Sequence, residues 1–328
     1  MASLRQYASA MLGRLRAAPA TPEEEGPGLG IMVNSRGARL QTKVWLTEDE
    51  PRGLVIFCHG YSAECTHNAA WQRVAKLHTA NGLVCAGIDY MGHGRSEGAR
   101  LHVESFDLLV DDVLQFVDEL RVRYPHLPIF IRGQSMGGLL GVLAALRRPE
   151  LFQGLALGAP AFELSWNRYA LLRLGGLFLG SSAPTAILAG QGGARQQLSG
   201  LTTPIAVFQG VEDDAVSPVG ARHLITGASA AKERALYLYQ DMGHNMSIEP
   251  DVIEWVDARL GGSGRPEDEH LPGATLHVRS PVAGAAWQLQ PPGSAHANAN
   301  TQLETVRVPA QQGARLDALL GETGGVPL

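Results

Sequence analysis

The chain has 328 residues, of which 45% are hydrophobic and 18% are charged, the composition of an ordinary globular protein with one large domain or two small ones. Its formal net charge is −5, and no basic stripe offsets the acidic excess, which argues against a nucleic acid as the principal partner. Three cysteines do not make a disulfide framework, so we expect a reducing compartment. No window approaches the ~20 apolar residues that a membrane-spanning helix needs.

Residues 1–30 are predicted to be an N-terminal leader. Arginines at positions 5, 14 and 16 interrupt the compact apolar core that a secretory signal requires. Apolar residues nevertheless recur on one helical face, and no acidic residue precedes Glu23. We therefore expect either a transit peptide for a plastid or mitochondrion, or a plain leader on a protein that is cytoplasmic or bound peripherally to a membrane.

Strand and helix patterns alternate over residues 31–260. In chain order they predict strands at 42–46 and 53–58, a helix at 71–81, a strand at 83–89, a helix at 106–124, a strand at 128–131, a helix at 139–146, strands at 154–157, 204–208 and 235–239, and a helix at 249–260. Such alternation predicts an α/β domain with a mostly parallel central sheet flanked by helices.

Two regions break this alternation. Residues 161–203 show no clear strand and include an apolar, aromatic stretch at 166–179, so we interpret them as a cap inserted above the sheet. Residues 261–328 are rich in Gly, Pro, Ala, Asn and Gln, which predicts a largely disordered C-terminal tail.

The most informative motif is Gly133-Gln134-Ser135-Met136-Gly137, a G-x-S-x-G pentapeptide between a predicted strand and a predicted helix. The motif alone is weak evidence, but strand, pentapeptide and helix is the order that a nucleophilic serine requires. The flanking glycines allow a sharp turn with close neighbours on both sides. We therefore predict that Ser135 is a nucleophile.

A serine nucleophile needs a base and a group that orients the base. In this architecture a carboxylate follows a later strand and a histidine follows the last one. His244 alone of the histidines occupies the latter loop. Among the acids of the former loop we prefer Asp213 to Asp214, with Glu212 third, because a G-x-x-D spacing is usual there.

The developing oxyanion needs backbone N–H donors that are fixed in advance. One should come from Met136, directly after the nucleophile, and the other from Tyr61, in the loop after an earlier strand. The side chain of His59 is predicted to be buried and structural. The Gly-rich loop at 89–96, which carries Asp, His and Ser, is predicted to be scaffold for the same loops.

Taken together, these features resemble the α/β-hydrolase superfamily and, within it, the monoacylglycerol lipase family. The resemblance covers about residues 31–260 and is closest to the plant and algal branch that includes lysophospholipases and caffeoylshikimate esterases. It rests on four strings that are more specific than the serine motif: NSRG at 34–37, CHGYSAEC at 58–65, IDYMGHGRSEG at 88–98 and SFD at 105–107.

The resemblance implies a serine hydrolase that cleaves carboxylic esters of monoacylglycerol or lysophospholipid type and needs no metal or cofactor. The family's roles fall on Ser135 as nucleophile, Asp213 as orienting acid and His244 as base, with the amides of Tyr61 and Met136 as oxyanion hole. The substrate would be a small lipid or ester. The apolar stretch of the cap would line an acyl channel and touch a membrane surface.

The chain departs from the family pattern in two places. Arg132 lies in the strand before the serine, where the family usually has an aliphatic residue, and a buried arginine must find a partner. The cap is shorter than the usual one, which implies a more open acyl site.

Two other hypotheses stay open. One is an esterase for small aromatic or phenolic esters of the caffeoylshikimate kind. The other is a ligand-binding member of the fold without turnover, since fold alone does not imply function.

Overall fold

The computed structural model describes residues 21–22, 26–165, 183–246, 248–261, 274–281 and 301–308. Most of the predicted leader and the apolar stretch at 166–179 of the cap lie outside these residues. Across the part of the chain that is described, no helix is both long and apolar enough to cross a membrane.

The centre of the molecule is one sheet of ten strands in the order β1-β2-β4-β3-β5-β6-β7-β8-β9-β10. They are β1 (Leu29–Val33), β2 (Arg39–Trp45), β3 (Gly53–Cys58), β4 (Leu83–Ile88), β5 (Ile129–Gln134), β6 (Gly154–Gly158), β7 (Ile205–Gly210), β8 (Arg234–Tyr239), β9 (Ala274–Pro281) and β10 (Thr301–Val308). Strands β3 to β9 pair in parallel, whereas β1, β2 and β10 are antiparallel to their neighbours. The predicted fold class is confirmed.

Helices cover both faces of the sheet, and each face has its own hydrophobic core. The described helices are α1 (Ala69–Thr79), α2 (Phe106–Arg123), α3 (Met136–Arg147), α4 (Ala183–Gln197), α5 (Pro218–Gly227) and α6 (Glu249–Asp257). Along β3, Leu54 and Ile56 belong to the core with α2 to α5, while Val55 and Phe57 belong to the core with α1 and α6. Burial on both faces explains why the central strands are continuously apolar.

Two stretches of the predicted tail form strands. Residues 274–281 form β9, which pairs in parallel with β8, and residues 301–308 form β10, which pairs with β9. Without β9, the edge of β8 would present unpaired backbone N–H and C=O groups, and pairing satisfies them. The remainder of the tail lies outside the described residues. The domain also begins earlier than predicted, because β1 starts at Leu29.

The loop after β4 is scaffold, as predicted. Asp89 is fully buried, and its carboxylate accepts hydrogen bonds from the amides of Cys65 (2.9 Å), Thr66 (3.1 Å) and Arg95 (3.2 Å), and from the Thr66 hydroxyl (2.7 Å). One carboxylate therefore joins the loop after β3 to the loop after β4. Glu64 and His67 offer further ligand atoms near Asp89. Both Asp89 oxygens are already engaged by these donors, so the group does not have the character of a metal site.

His93 belongs to the loop after β4 and is fully buried. Its ring contacts the rings of His59, Tyr61 and Tyr90, and Nδ1 is 3.2 Å from the carbonyl of Met91. Burial, with the neighbouring His59 as a second cause, lowers the pKa of His93 from 6.5 to about 3. The ring is therefore neutral at neutral pH.

The burial of His93 predicts that the folded protein is less stable in acid than at neutral pH. The unfolded chain binds a proton at His93 as the pH falls below 6.5, whereas the folded chain does so only near pH 3, so the free energy of unfolding decreases across that window. At pH 5 the loss from this group should be about 2 kcal/mol relative to pH 7. Urea unfolding at both pH values should show the decrease in the wild type and a smaller one in His93→Phe.

His126→Asn, at an exposed histidine, is the control and should retain the wild-type pH dependence. Equal pH dependence in His93→Phe and the wild type would mean that the folded protein protonates His93 normally.

Candidate active site

Ser135 is the single residue between β5 and α3, and its backbone is strained. Its φ of 56° and ψ of −119° lie in a region that costs a non-glycine residue about 1–3 kcal/mol. Four backbone hydrogen bonds hold it there: its amide donates to Gly158 at 2.9 Å, and its carbonyl accepts from Gly138 and Ala161, each at 2.9 Å, and from Leu139 at 3.3 Å. The surrounding structure therefore imposes a conformation that the serine would not adopt alone.

The glycines on either side of Ser135 are required by close packing. A Cβ atom on Gly137 would lie 2.0 Å from the carbonyl oxygen of Cys58, and one on Gly133 would lie 2.7 Å from the carbonyl of Gly137. The start of α3 thus touches the end of β3. Gly60, in the loop after β3, is also close, since a Cβ there would lie 3.3 Å from the Cβ of Ser135.

Asp213 and His244 are joined by a hydrogen bond of 2.9 Å from Nδ1 to Oδ2. They follow β7 and β8, which are parallel neighbours, so both lie at the carboxyl edge of the sheet. Their loops are also bonded to each other through Val211 N to Tyr239 O and Glu212 N to Met242 O, each at 3.0 Å. The G-x-x-D spacing has a steric reason here. A Cβ on the glycine, Gly210, would lie 2.3 Å from the Met242 carbonyl.

The structure distinguishes Asp213 from the adjacent acids. The Asp213 side chain is fully buried, whereas Glu212 and Asp214 are exposed. Its Oδ1 accepts the amides of Ala215 (2.8 Å) and Val216 (2.9 Å), and its Oδ2 accepts Gln209 Nε2 (3.1 Å) as well as His244. Charge-assisted hydrogen bonds of this kind fix the carboxylate.

The bond to Asp213 also determines the tautomer of His244. Because the carboxylate accepts from Nδ1, Nε2 is the nitrogen that can take up a proton. The imidazole and the Ser135 hydroxyl, both of which the structure describes, do not form a hydrogen bond with each other. Such bonds are often long in unliganded enzymes and shorten in the substrate complex. A backbone contact does join the two regions, since Gln134 Nε2 donates to the carbonyl of His244 at 3.1 Å.

The two predicted oxyanion donors belong to segments that lie close to Ser135. Met136 N–H is at the first position of α3, where helix amides have no partner within the helix. Tyr61 N–H belongs to the same trans peptide as the carbonyl of Gly60, so the two point in opposite directions. That carbonyl is 2.8 Å from His59 Nδ1. The His59 ring therefore sets the direction of the Tyr61 amide.

The protonation state of His59 follows from its partners. The amide of Tyr90 donates to Nε2 at 3.2 Å, so Nε2 carries no proton and Nδ1 donates to Gly60. Burial lowers the pKa of His59, which keeps the ring neutral. The prediction that His59 is buried and structural is confirmed. The Tyr61 hydroxyl is likewise an anchor, because it donates to the carbonyl of Leu101 at 3.0 Å.

Two glutamines in the site were missed from the sequence. Gln209 donates to Asp213, and Gln134 donates to the His244 carbonyl. Each lies at or near the carboxyl end of a strand next to a predicted site residue, which is the only signal that the sequence carries for them.

Known proteins of several kinds are similar to this chain in sequence. A family model described as serine aminopeptidase, S33, matches residues 49–191. The human monoglyceride lipase is 27% identical over 74% of this chain and 98% of its own length. The monoacylglycerol lipase of Mycolicibacterium smegmatis is 26% identical over 68% and 95%. The caffeoylshikimate esterase of Arabidopsis thaliana is 25% identical over 73% and 90%.

Solved structures show the same fold. A soluble variant of the monoglyceride lipase from Saccharomyces cerevisiae, in complex with a substrate analog, has a TM-score of 0.62 at 16% identity and covers 74% of this chain and 98% of that one. The Paleococcus ferrophilus monoacylglycerol lipase has a TM-score of 0.57 at 18% identity over 67% and 99%. The chain has the α/β-hydrolase fold, is similar in sequence to monoacylglycerol lipases, and is a carboxylic ester hydrolase.

Proposed function

We propose that this protein hydrolyses monoacylglycerols, with lysophospholipids as a second lipid ester class, through an acyl-enzyme formed on Ser135. The observation that carries the proposal is the hydrogen bond between buried Asp213 and half-buried His244, together with a strained serine at a helix N-terminus. The lipase names of several relatives support the choice of substrate.

The proposed reaction has two halves. His244 Nε2 takes the proton from Ser135 as the hydroxyl attacks the ester carbonyl, and the amides of Tyr61 and Met136 bind the oxyanion. The imidazolium, held by Asp213, then gives its proton to the leaving alcohol. Water repeats the sequence on the acyl-enzyme and releases the acid.

The proposal extends to the cap and the leader. The apolar stretch at 166–179, outside the described residues, would line the acyl channel and contact a membrane surface. A role of the leader in import into an organelle stays a prediction.

Removing the nucleophile is the first test. Ser135→Ala should abolish labelling by a fluorophosphonate probe and reduce ester hydrolysis to near the background rate, because the proposed acyl-enzyme forms on the Ser135 hydroxyl. Ser35→Ala, at an exposed serine, is the control and should behave as wild type. An unlabelled wild type would favour the ligand-binding alternative instead.

The role of Asp213 is tested by Asp213→Asn. The amides of Ala215 and Val216 hold Oδ1, so the new NH2 group would take the position of Oδ2 and face His244 Nδ1. The imidazole would then carry its proton on Nε2 and could not act as base, and kcat should fall about 10⁴-fold. Asp214→Asn should retain activity. If Asp214→Asn lost activity and Asp213→Asn retained it, Asp214 would be the acid that orients His244.

The substrate class is tested with a series of monoacylglycerols from acetyl to oleoyl. We expect kcat/KM to rise toward long chains, because each additional methylene buried in an acyl channel contributes about 0.8 kcal/mol. Faster cleavage of caffeoyl and feruloyl esters than of any glyceride would favour the phenolic esterase, an alternative supported by similarity to caffeoylshikimate esterase.

A further inference from the structure

Two side chains of β5 form hydrogen bonds with the two ends of segment 244–249, one at His244 and the other at Glu249. Arg132 and Gln134 are two residues apart in a strand, so they point to the same face of the sheet. Gln134 donates to the His244 carbonyl, and Arg132 donates to the carboxylate of Glu249 through Nε (3.2 Å) and Nη2 (2.8 Å). Glu249 is the first residue of α6, which follows the His244 loop.

Arg132 determines which way the Gln134 amide faces. An arginine side chain has only donors, and Nη1 of Arg132 is 3.5 Å from Oε1 of Gln134. The amide oxygen is therefore directed to the guanidinium, and the NH2 group is directed to the carbonyl of His244. The contact between Gln134 and His244 is thus fixed in its donor and acceptor sense.

The space for this amide is reserved on the neighbouring strand. Gly158 of β6 is the register partner of Gln134, and a Cβ there would lie 2.3 Å from Gln134 Oε1. Any other residue at position 158 would displace the glutamine side chain. The packing therefore leaves the amide little freedom to move away from His244.

The other end of the segment is held by charge. Arg132 and Glu249 are only 3% and 4% exposed, and Glu249 Oε2 is also 2.9 Å from Nε2 of the buried His78. Burial alone would raise the pKa of Glu249, but the Arg132 guanidinium and the His78 hydrogen bond outweigh it and lower the pKa to about 2. The carboxylate is charged and paired, so the start of α6 is anchored to β5 and α1.

We propose that Gln134 is a positioning residue for His244. Its amide holds the His244 backbone at a fixed distance from Ser135, the residue that follows Gln134 in the chain. Asp213 fixes the ring through Nδ1, and Gln134 fixes the main chain through the carbonyl oxygen. Two points of attachment define where Nε2 lies. This inference rests on the proposed function, because it requires His244 to be the base for Ser135.

The expected consequence is a loss of rate without a loss of binding. Gln134→Met keeps the length of the side chain and removes the donor. A displacement of the base by about 1 Å can lower the rate by up to about 10²-fold. We expect kcat to fall about tenfold to a hundredfold while KM stays within about twofold, because the amide contacts protein and not substrate.

Gln115→Met is the matched control. Gln115 Nε2 also donates to a backbone carbonyl, that of Val33, at 2.8 Å, but it lies on the exposed face of α2. This variant should keep the wild-type kcat. Melting temperatures of the two variants measure the general cost of losing such a bond. The inference would be overturned if Gln134→Met had the melting temperature of the control variant and the kcat of the wild type.

Two readouts separate positioning from a general structural role. In a His244→Ala background the Gln134→Met change should no longer lower the slow phosphonylation rate of Ser135, because its effect passes through the missing imidazole. The low-field proton resonance of the His244–Asp213 bond should shift or broaden in Gln134→Met and not in Gln115→Met. An undiminished effect in the His244→Ala background, or an unchanged resonance, would contradict the inference.

Failure of the inference and failure of the proposed function give different results. If the wild type neither reacts with the fluorophosphonate nor cleaves esters, the proposed function fails. If the wild type is active and Gln134→Met matches it in kcat, the function stands and the role of Gln134 does not.

Discussion

The close approach of α3 to the end of β3 is the constraint on which the site depends. Gly137 lies against the Cys58 carbonyl so closely that any side chain would collide with it. This approach places the first amide of α3, the strained Ser135 and the Gly60 peptide next to one another. The strain at Ser135 costs about 1–3 kcal/mol, and burial of the apolar face of α3 offsets it. A stable core therefore supports an unstable backbone conformation at Ser135, the proposed nucleophile.

The polar groups around this turn fall into two kinds, and electrostatics explains the division. Charged groups that are deeply buried form multiply bonded sets, such as Arg132 with Glu249 or Asp89 with its backbone donors, because an unpaired buried charge is costly. The groups that orient backbone at the reaction centre are neutral: His59 directs the Gly60 peptide and Gln134 contacts the His244 carbonyl. Neutral side chains can fix a main-chain position without adding a charge near the base.

Local sequence patterns predicted the strands and helices whose apolar residues face the core. The remaining elements depend on long-range packing. Strands such as β3 could be predicted from continuous apolar residues, and α2 from its apolar spacing. Helices α4 and α5 contain glycines that suppress the signal; in α5, Gly220 is there because Glu163 packs against it. Strand β9 depends on pairing with β8, which no local pattern reveals. Asp213 and His244 followed from strand order, but the contact of Gln134 with His244 spans distant loops and had no local signature.

The order of elements along the chain also separates chemistry from substrate choice. Ser135 follows β5, and Asp213 and His244 follow β7 and β8, whereas the cap is inserted after β6. Its described helix, α4, rests on α2 through Gly190 and Phe106, and Gln191 donates to the Ala161 carbonyl at 2.8 Å, just after the strand ends. A cap attached in this way can shorten or change its lining without moving the strands that carry the reactive side chains. A change in the cap therefore need not disturb the positions of Ser135, Asp213 and His244, which depend on β5, β7 and β8.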